Sequence, residues 1–335
     1  VAPTADFASA HSAPVLWELA RAAGYRTAYV SSQNPEYEDF GTFTRRAGID
    51  HLVTALDLGG MAQEQVGAPD ERAVDAMRAF IRSVPDGMPY FAVLHLSNTH
   101  APYRIDPELV PYVPQSPDPL GDVNAFHNRY RDSVRLQERT LAPLLRELRT
   151  SSRWANTAVV FVSDHGEQFR EHGGLYHNHS LFEEEVRVPG WIAAGSQALS
   201  GGQRAAIASY ATRRTYMQDV HETIVDLFGL EESRGALPFA NLVTGRSLLR
   251  PWAGEPTMLL ATSTAVWEPD DARYGVMRGD LALFGGPEGA WSCFDLARDA
   301  SERVSRPAST CGDLASIADR AFSAVLGERR GRIGW

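Results

Sequence analysis

The stretch TAVVFVSDHGEQFREHGGLYHNHSLFEEEVRVPGWI, residues 157–192, decides how the fold is interpreted. Its apolar run ends at Asp164 and His165, and three more histidines follow within the next fourteen residues. A chain with ten histidines in all therefore gathers four of them just past the end of one predicted strand. A polar loop that happens to be rich in histidine would account for this cluster. A site for a metal ion and an anion would account for it as well.

The composition describes an ordinary globular protein. At 335 residues, 44% hydrophobic and 22% charged, the chain can form one large α/β domain or two smaller ones. A net charge of −10 argues against a nucleic-acid partner, because phosphate contacts need clustered cations. No apolar run approaches the roughly 18 residues of a membrane span. No signal peptide is recognisable, and the absence of a starting Met and of an opening strand indicates a piece of a longer protein.

Two features of residue usage limit the chemistry. All 32 basic residues are Arg, so no lysine is available for any role in a site. The two cysteines, Cys293 and Cys311, could form a disulfide in an exported protein or remain as two buried thiols.

Helix and strand patterns alternate along the chain, which predicts a mostly parallel sheet covered by helices on both faces. Apolar residues at helical spacing predict helices over residues 12–25, 70–84, 128–151, 217–230 and 313–327. Asp70 is predicted to be the N-cap of the second of these helices. Short apolar runs predict strands over residues 25–32, 89–100, 156–167, 188–194, 257–263, 274–279 and 281–286. Six prolines predict a long surface loop over residues 101–125.

Two of these strands run into a polar tip at the carboxyl end. His100 comes after VLHLSNT, and Asp164 with His165 comes after VVFVS. Ligands gather beyond the carboxyl ends of strands in such sheets, so the position favours a site. Asp164 and His165 can each give one ligand atom to a divalent cation, and Glu167 could orient a ligand.

The other histidines have two interpretations. His177 and His179 could be ordinary polar-loop residues, or they could bind an anionic ester oxygen or protonate a leaving group. His100, taken alone, is more often a structural residue. The surrounding sequence therefore has to decide between the two.

Taken together, these segments resemble the sulfatase-like members of the alkaline phosphatase superfamily, which include sulfatases and phosphoglycerol and phosphoethanolamine transferases. The likeness runs in the family's order through four segments: PVLWELARAAGYRTAYVSSQN, LHLSNTHAPY, YRDSVRLQERTLAPLLREL with NTAVVFVSDHGE, and HNHSLFEEEVRVPGWI. It covers most of the chain. It implies an alkaline-phosphatase-like α/β core over residues 1–250 and a small C-terminal α+β subdomain over residues 251–335.

The resemblance also assigns site residues. Asp164 and His165 match a pair of ligands for a divalent metal ion, which could be Zn, Mn, Ca or Mg. His100 matches a substrate-side histidine. His177 matches a phosphate-contacting histidine of the phosphoethanolamine transferases, and His179 competes with it because the loop register is uncertain.

Two departures from the family pattern matter. The family's first metal-binding carboxylate and its Ser, Thr or Cys nucleophile precede the AGYRT segment, so we expect both upstream of this chain; Thr4 and Ser9 are poor candidates. The absence of lysine weakens an arylsulfatase assignment, since those enzymes usually hold sulfate with lysines. Histidine at position 177 shifts the balance towards phosphoryl transfer.

The implied activity is a hydrolase or transferase acting on phosphate or sulfate esters, including lipid or glycan esters. A metal-activated hydroxyl attacks, a covalent intermediate forms, and water or an alcohol releases it. Many relatives act at the cell envelope, so the resemblance implies a periplasmic or extracellular location for a membrane-tethered parent. Two alternatives remain: an inactive relative that binds an anionic glycan or lipid headgroup, and an unrelated α/β protein.

Overall fold

The computed structural model describes residues 14–35, 41, 44–45, 47–61, 67–231, 244–262, 272–285 and 290–332. Thr4 and Ser9 lie outside the described residues. The helices are α1 (Leu16–Ala22), α2 (Asp70–Ser83), α3 (Val123–Thr150), α4 (Glu183–Val186), α5 (Gly201–Ser209), α6 (Met217–Leu227) and α7 (Leu314–Arg332). Short 3-10 helices cover Trp154–Asn156 and Ala308–Cys311. None of the described helices is both long enough and apolar enough to cross a membrane.

The strands confirm the predicted ones and add several short strands. They are β1 (Arg26–Ser31), β2 (His51–Val53), β3 (Tyr90–His95), β4 (Ala158–Val162), β5 (Gln168–Phe169), β6 (Leu175–Tyr176), β7 (Gly190–Ala194), β8 (Thr257–Thr262), β9 (Arg273–Arg278), β10 (Leu281–Gly285), β11 (Trp291–Asp295) and β12 (Arg306–Pro307).

The first sheet is parallel and has the order β2-β1-β3. Ala28 and Val30 of β1 are completely buried, and they share an apolar cluster with Met77 of α2 and Leu144 of α3. On α1, Leu19 packs against Val225 of α6. These contacts follow from the helical spacing of apolar residues in the sequence. Because β1 and β3 are parallel, their carboxyl ends lie at the same edge of the sheet.

A second, two-stranded sheet pairs β4 with β7 in antiparallel register. Leu144 of α3 belongs to the same apolar cluster as Leu94 of β3 and Val159 of β4, so one helix layer spans both sheets. Among the described residues, no strand pairs with the second edge of β3 or of β4. Both strands are only half-buried along their whole length, although their residues are mainly apolar.

The start of α2 differs from the prediction. Asp70 was predicted to be the N-cap, but Pro69 occupies that position and Asp70 is the first helical residue. The Asp70 carboxylate turns into the interior and is completely buried. The prediction was wrong because distant backbone amide groups compete for this carboxylate with the amides of its own helix.

The C-terminal residues form a five-stranded antiparallel sheet in the order β12-β11-β10-β9-β8. Leu314 and Ala318 of α7 pack on it, against Val276 of β9. Cys293 and Cys311 are joined by a disulfide, which decides between the two alternatives left open by the sequence.

A buried ionic cluster joins the C-terminal region to the histidine-rich loop. His172 contacts Glu184 at 2.5 Å, and its second ring nitrogen donates to the Glu302 carbonyl at 3.3 Å. One carboxylate oxygen of Glu302 accepts from the Glu183 backbone amide at 2.7 Å, while Oε1 is buried without a partner among the described residues. Burial raises the pKa of Glu302 to about 7, and the Glu183 and Glu184 carboxylates raise it as well. Arg214 pairs with Glu183 at 2.8 Å.

We expect Glu302 to make stability depend on pH. Its pKa is higher in the folded protein than the ordinary 4.5, so the folded state holds more protons than the unfolded chain between pH 4.5 and about 7. The free energy of unfolding should therefore fall as pH rises through this range, by about 3 kcal/mol. Denaturant unfolding at pH 5 and pH 8 measures this. Glu302→Gln should flatten the dependence, whereas the exposed Glu138→Gln should not; equal slopes in wild type and Glu302→Gln would contradict the assignment.

Candidate active site

The candidate site lies where β1, β3 and β4 end. His95 is the last residue of β3, and His100 follows in the turn after it. Asp164 and His165 come two and three residues after β4, in the loop that leads to the remaining histidines. The two sheets therefore bring side chains that follow β3 and β4, 64 residues or more apart in sequence, to the same end of the molecule.

The turn at Asp164 and His165 is shaped by the glycine that follows. A Cβ on Gly166 would lie 2.1 Å from the Glu184 carbonyl oxygen, so only glycine fits this close approach. The Gly166 amide donates to the Glu185 carbonyl at 2.7 Å. His165 Nδ1 lies 2.8 Å from the Gly166 carbonyl, to which it must donate, and Nε2 keeps its lone pair. That Nε2 lies 3.8 Å from Asp164 Oδ2.

His177 lies between the other site histidines. Its ring centroid is 3.9 Å from that of His165 and 5.8 Å from that of His100. The flanking residues Tyr176 and Asn178 both have positive φ, 69° and 70°. Left-handed backbone at a bulky residue such as Tyr176 stores strain, which is common where a fold holds a functional side chain in place.

The buried Glu167 carboxylate contacts His177. The Glu167 side chain is only 5% exposed, and Oε1 lies 3.4 Å from His177 Nδ1. Burial lowers the pKa of His177, but its hydrogen bond to Glu167 and the charges of Glu167, Glu185 and Asp164 raise it by more, so the pKa ends above its ordinary value. Burial and the nearby Glu167 also raise the pKa of Tyr103, which is completely buried beneath the loop.

His179 is not brought to this group. Its side chain is exposed, and its backbone amide donates to Glu185 Oε2 at 3.1 Å. The structure therefore places His177, and not His179, beside His100 and His165.

His95 is a site residue that the sequence reasoning missed. Its Nδ1 lies 2.9 Å from the Tyr29 hydroxyl and 3.1 Å from the Ser31 hydroxyl. Burial lowers the pKa of His95 below its ordinary value, although the charge of the Asp164 carboxylate acts in the opposite direction. The predicted strand ran to residue 100, so His95 stood in its interior, and only the observed end of β3 brings His95 to the site.

The donor atoms fit a divalent cation. A nitrogen and a carboxylate oxygen that each bind at about 2.1 Å can be at most about 4.2 Å apart. The 3.8 Å between His165 Nε2 and Asp164 Oδ2 meets this condition. His165, Glu167 and His177 form a further set, with one ligand atom each within 4.8 Å of the others. Imidazole nitrogen with carboxylate oxygen is a donor set that zinc and other transition metals accept.

Comparison with known proteins places this fold in a family. The family model described as Sulfatase matches residues 3–230. The chain therefore belongs to the sulfatase family, whose members are enzymes of the alkaline phosphatase superfamily and generally use divalent metal ions. The family suggested by the sequence is confirmed.

Among curated relatives, phosphoglycerol transferase I of Xanthomonas campestris pv. campestris (strain B100) is 27% identical over 148 residues. That match covers 42% of this chain and 20% of the relative, so the matched part is about a fifth of the relative's length.

Solved structures with the same fold come from several organisms. An alkaline phosphatase superfamily protein of Vibrio parahaemolyticus has a TM-score of 0.59 and 17% identity, covering 94% of this chain and 68% of its own. A lipoteichoic acid synthase of Listeria monocytogenes has a TM-score of 0.59 and 12% identity, and the match covers 95% of this chain and 73% of that protein's chain. A phosphonate monoester hydrolase of Agrobacterium radiobacter has a TM-score of 0.60 and 13% identity, and the match covers 95% of this chain and 80% of that protein's chain. These likenesses confirm the predicted α/β fold class.

Proposed function

We propose that the protein is a metal-dependent hydrolase or transferase that acts on phosphate esters through a covalent intermediate. The observation that carries this proposal is the meeting of His100, His165 and His177 beside Asp164 at the ends of two strands. Polar side chains from three separate segments converge there, which a merely decorative histidine-rich loop would not require.

Phosphate rather than sulfate is supported by two observations. The chain contains no lysine, so a sulfate group would have to be held by other cations. His177, at the position where the resemblance expects a phosphate contact, is the loop histidine that faces the site. The curated relative is itself a phosphoglycerol transferase, which agrees with a phosphodiester substrate such as a lipid or glycan ester.

Each residue has a role in this proposal. Asp164 and His165 would hold the cation, which when bound supplies positive charge against the ester oxygens. His100 Nδ1 donates to the Ala101 carbonyl at 2.8 Å, so its Nε2 is the atom left to interact with the substrate. His177, held by Glu167, would donate to an anionic oxygen or protonate a leaving group.

We also propose that an earlier strand of the protein supplies the nucleophile and a further metal carboxylate. Among the described residues, one edge of β3 and one edge of β4 have no pairing strand, which supports this proposal, because α3 covers both strands in one layer and each strand is half-buried. Main-chain pairing with a further strand would satisfy both edges at once. The carboxyl end of that strand would lie between His95 and Asp164.

A location at the periplasmic or extracellular face of the cell envelope is part of the proposal. It is supported by the disulfide between Cys293 and Cys311, since such bonds persist mainly in oxidising compartments. Membrane tethering would then be a property of the parent protein.

The test uses full-length protein, purified with and without EDTA treatment. Bis-p-nitrophenyl phosphate, p-nitrophenyl phosphate and p-nitrophenyl sulfate are assayed after each of Zn, Mn, Ca and Mg is added back. We expect cleavage of at least one phosphate ester, with EDTA lowering the rate at least about a hundredfold and the sulfate ester reacting at least about tenfold more slowly.

Two results would reject the proposal. Faster cleavage of the sulfate ester would reassign the enzyme to sulfate chemistry. Full-length protein that binds an anionic glycan or lipid headgroup but cleaves none of the esters with any metal would instead favour an inactive binding domain.

A further inference from the structure

Asp70 lies outside the candidate site, yet it is the centre of a buried hydrogen-bond network beside it. The residue is completely buried at the start of α2. Its Oδ1 accepts from the Ser32 hydroxyl at 2.6 Å and from the Ser97 backbone amide at 2.9 Å. Its Oδ2 accepts from the Asn98 backbone amide at 3.1 Å. One carboxylate thus joins the end of β1, the turn after β3 and the start of α2.

The turn that Asp70 holds leads directly to His100. The Ser97 carbonyl accepts from the His100 amide at 2.9 Å, and the Asn98 carbonyl accepts from the Arg104 amide at 3.1 Å. The direction of the Ser97 and Asn98 amides therefore fixes where the chain leaves β3 and where the His100 side chain begins.

Bulk water does not reach the amides that this carboxylate accepts from. Ser97 is 4% exposed and Asn98 is completely buried, so both amides depend on an acceptor inside the protein. All three groups around Asp70 donate to it, and the Ser32 and Ser97 hydroxyls are themselves 2.9 Å apart. Burial raises the pKa of Asp70 above its ordinary value, and these three hydrogen bonds offset only part of that rise. A neutral or shorter side chain would leave at least one buried amide unpaired.

We infer that Asp70 is a positioning residue for His100: it orders the turn of residues 97–100 so that the His100 imidazole faces His177. This inference rests on the proposed function for the role of His100, but the position of the turn can be measured independently of activity. Loss of the Asp70 carboxylate would misplace the His100 imidazole, which the proposed function puts against the substrate, and would leave Asp164 and His165 in place.

The experiment compares Asp70→Asn with Asp75→Asn in full-length protein. Asp75 lies on the same helix, is 70% exposed and pairs with Arg78 at 3.0 Å, so it controls for loss of a helix carboxylate. The readouts are amide hydrogen exchange in residues 96–102, the ¹³Cε1 resonance of His100 and its titration, bound metal, and kcat and KM for bis-p-nitrophenyl phosphate.

For Asp70→Asn we expect exchange at Ser97 and Asn98 to quicken at least about tenfold, because the new amide group offers a donor where an acceptor is needed. The His100 resonance should shift. The value of kcat/KM should fall about tenfold to a hundredfold with metal content unchanged. Asp70→Glu should recover part of the loss, and Asp75→Asn should match wild type.

An unchanged His100 resonance in Asp70→Asn would overturn the inference, whatever happens to activity. If wild-type full-length protein cleaves no ester, the proposed function fails, while the exchange and resonance data still decide the role of Asp70. If Asp70→Asn does not fold, amide hydrogen exchange in the wild-type protein tests the inference instead. Exchange at Ser97 and Asn98 as fast as in the loop of residues 104–122 would overturn it.

Discussion

Replacing His165 with alanine is expected to remove the divalent metal and the activity together. His165 Nε2 keeps a lone pair because Nδ1 is held by the Gly166 carbonyl, and Asp164 Oδ2 lies 3.8 Å away. Loss of either ligand should empty the site, and the charge stabilisation lost is worth several kcal/mol, or at least about a thousandfold in rate. Asp164→Ala should behave in the same way.

The measurement is metal content by elemental analysis of full-length protein, made on the same samples as phosphate-ester turnover. His221→Ala is the matched control, because this half-exposed histidine on α6 pairs with its neighbour Glu222, at 2.8 Å, and with no other carboxylate of the described residues. It should keep both metal and activity. Full metal and full turnover in either His165→Ala or Asp164→Ala would show that the ligands have been assigned wrongly.

Replacing His177 with alanine is expected to lower turnover about a hundredfold to a thousandfold while bound metal stays nearly constant. The imidazole lies between His100 and His165, on the side of the site where an anionic oxygen would be held. Its removal takes away a hydrogen-bond donor to that oxygen but leaves the Asp164 and His165 pair intact.

The same variants separate two roles that the geometry offers to His177. His165, Glu167 and His177 also form a compact set of possible ligands, so an equal fall in metal and turnover would make His177 a ligand instead. His179→Ala tests the loop register. Because His179 is exposed and its backbone amide alone contacts Glu185, turnover should change less than about threefold. A larger loss there than in His177→Ala would reverse the assignment.

The sequence alone predicted the elements that periodicity controls. The helices α2 and α3 and the strands β1, β3 and β4 follow from apolar spacing. The site was placed from polar residues at the carboxyl ends of predicted strands, and that assignment stays a prediction. The helix α5 was missed because it opens with Gly201 and Gly202, which are poor helix formers, although the Ser200 and Gln203 capping box was a sequence signal for its start.

Only the tertiary structure decided which polar side chains face one another. His177 and His179 are two residues apart in a loop without periodicity, and the buried Glu185 carboxylate, which accepts from the His179 amide, fixes the direction of that loop. Asp70 has the sequence of a helix cap, yet it turns inward because amides from Ser97 and Asn98 reach it in space. A local pattern determines periodicity, whereas the partner of a buried polar group is supplied by whichever distant segment packs against it.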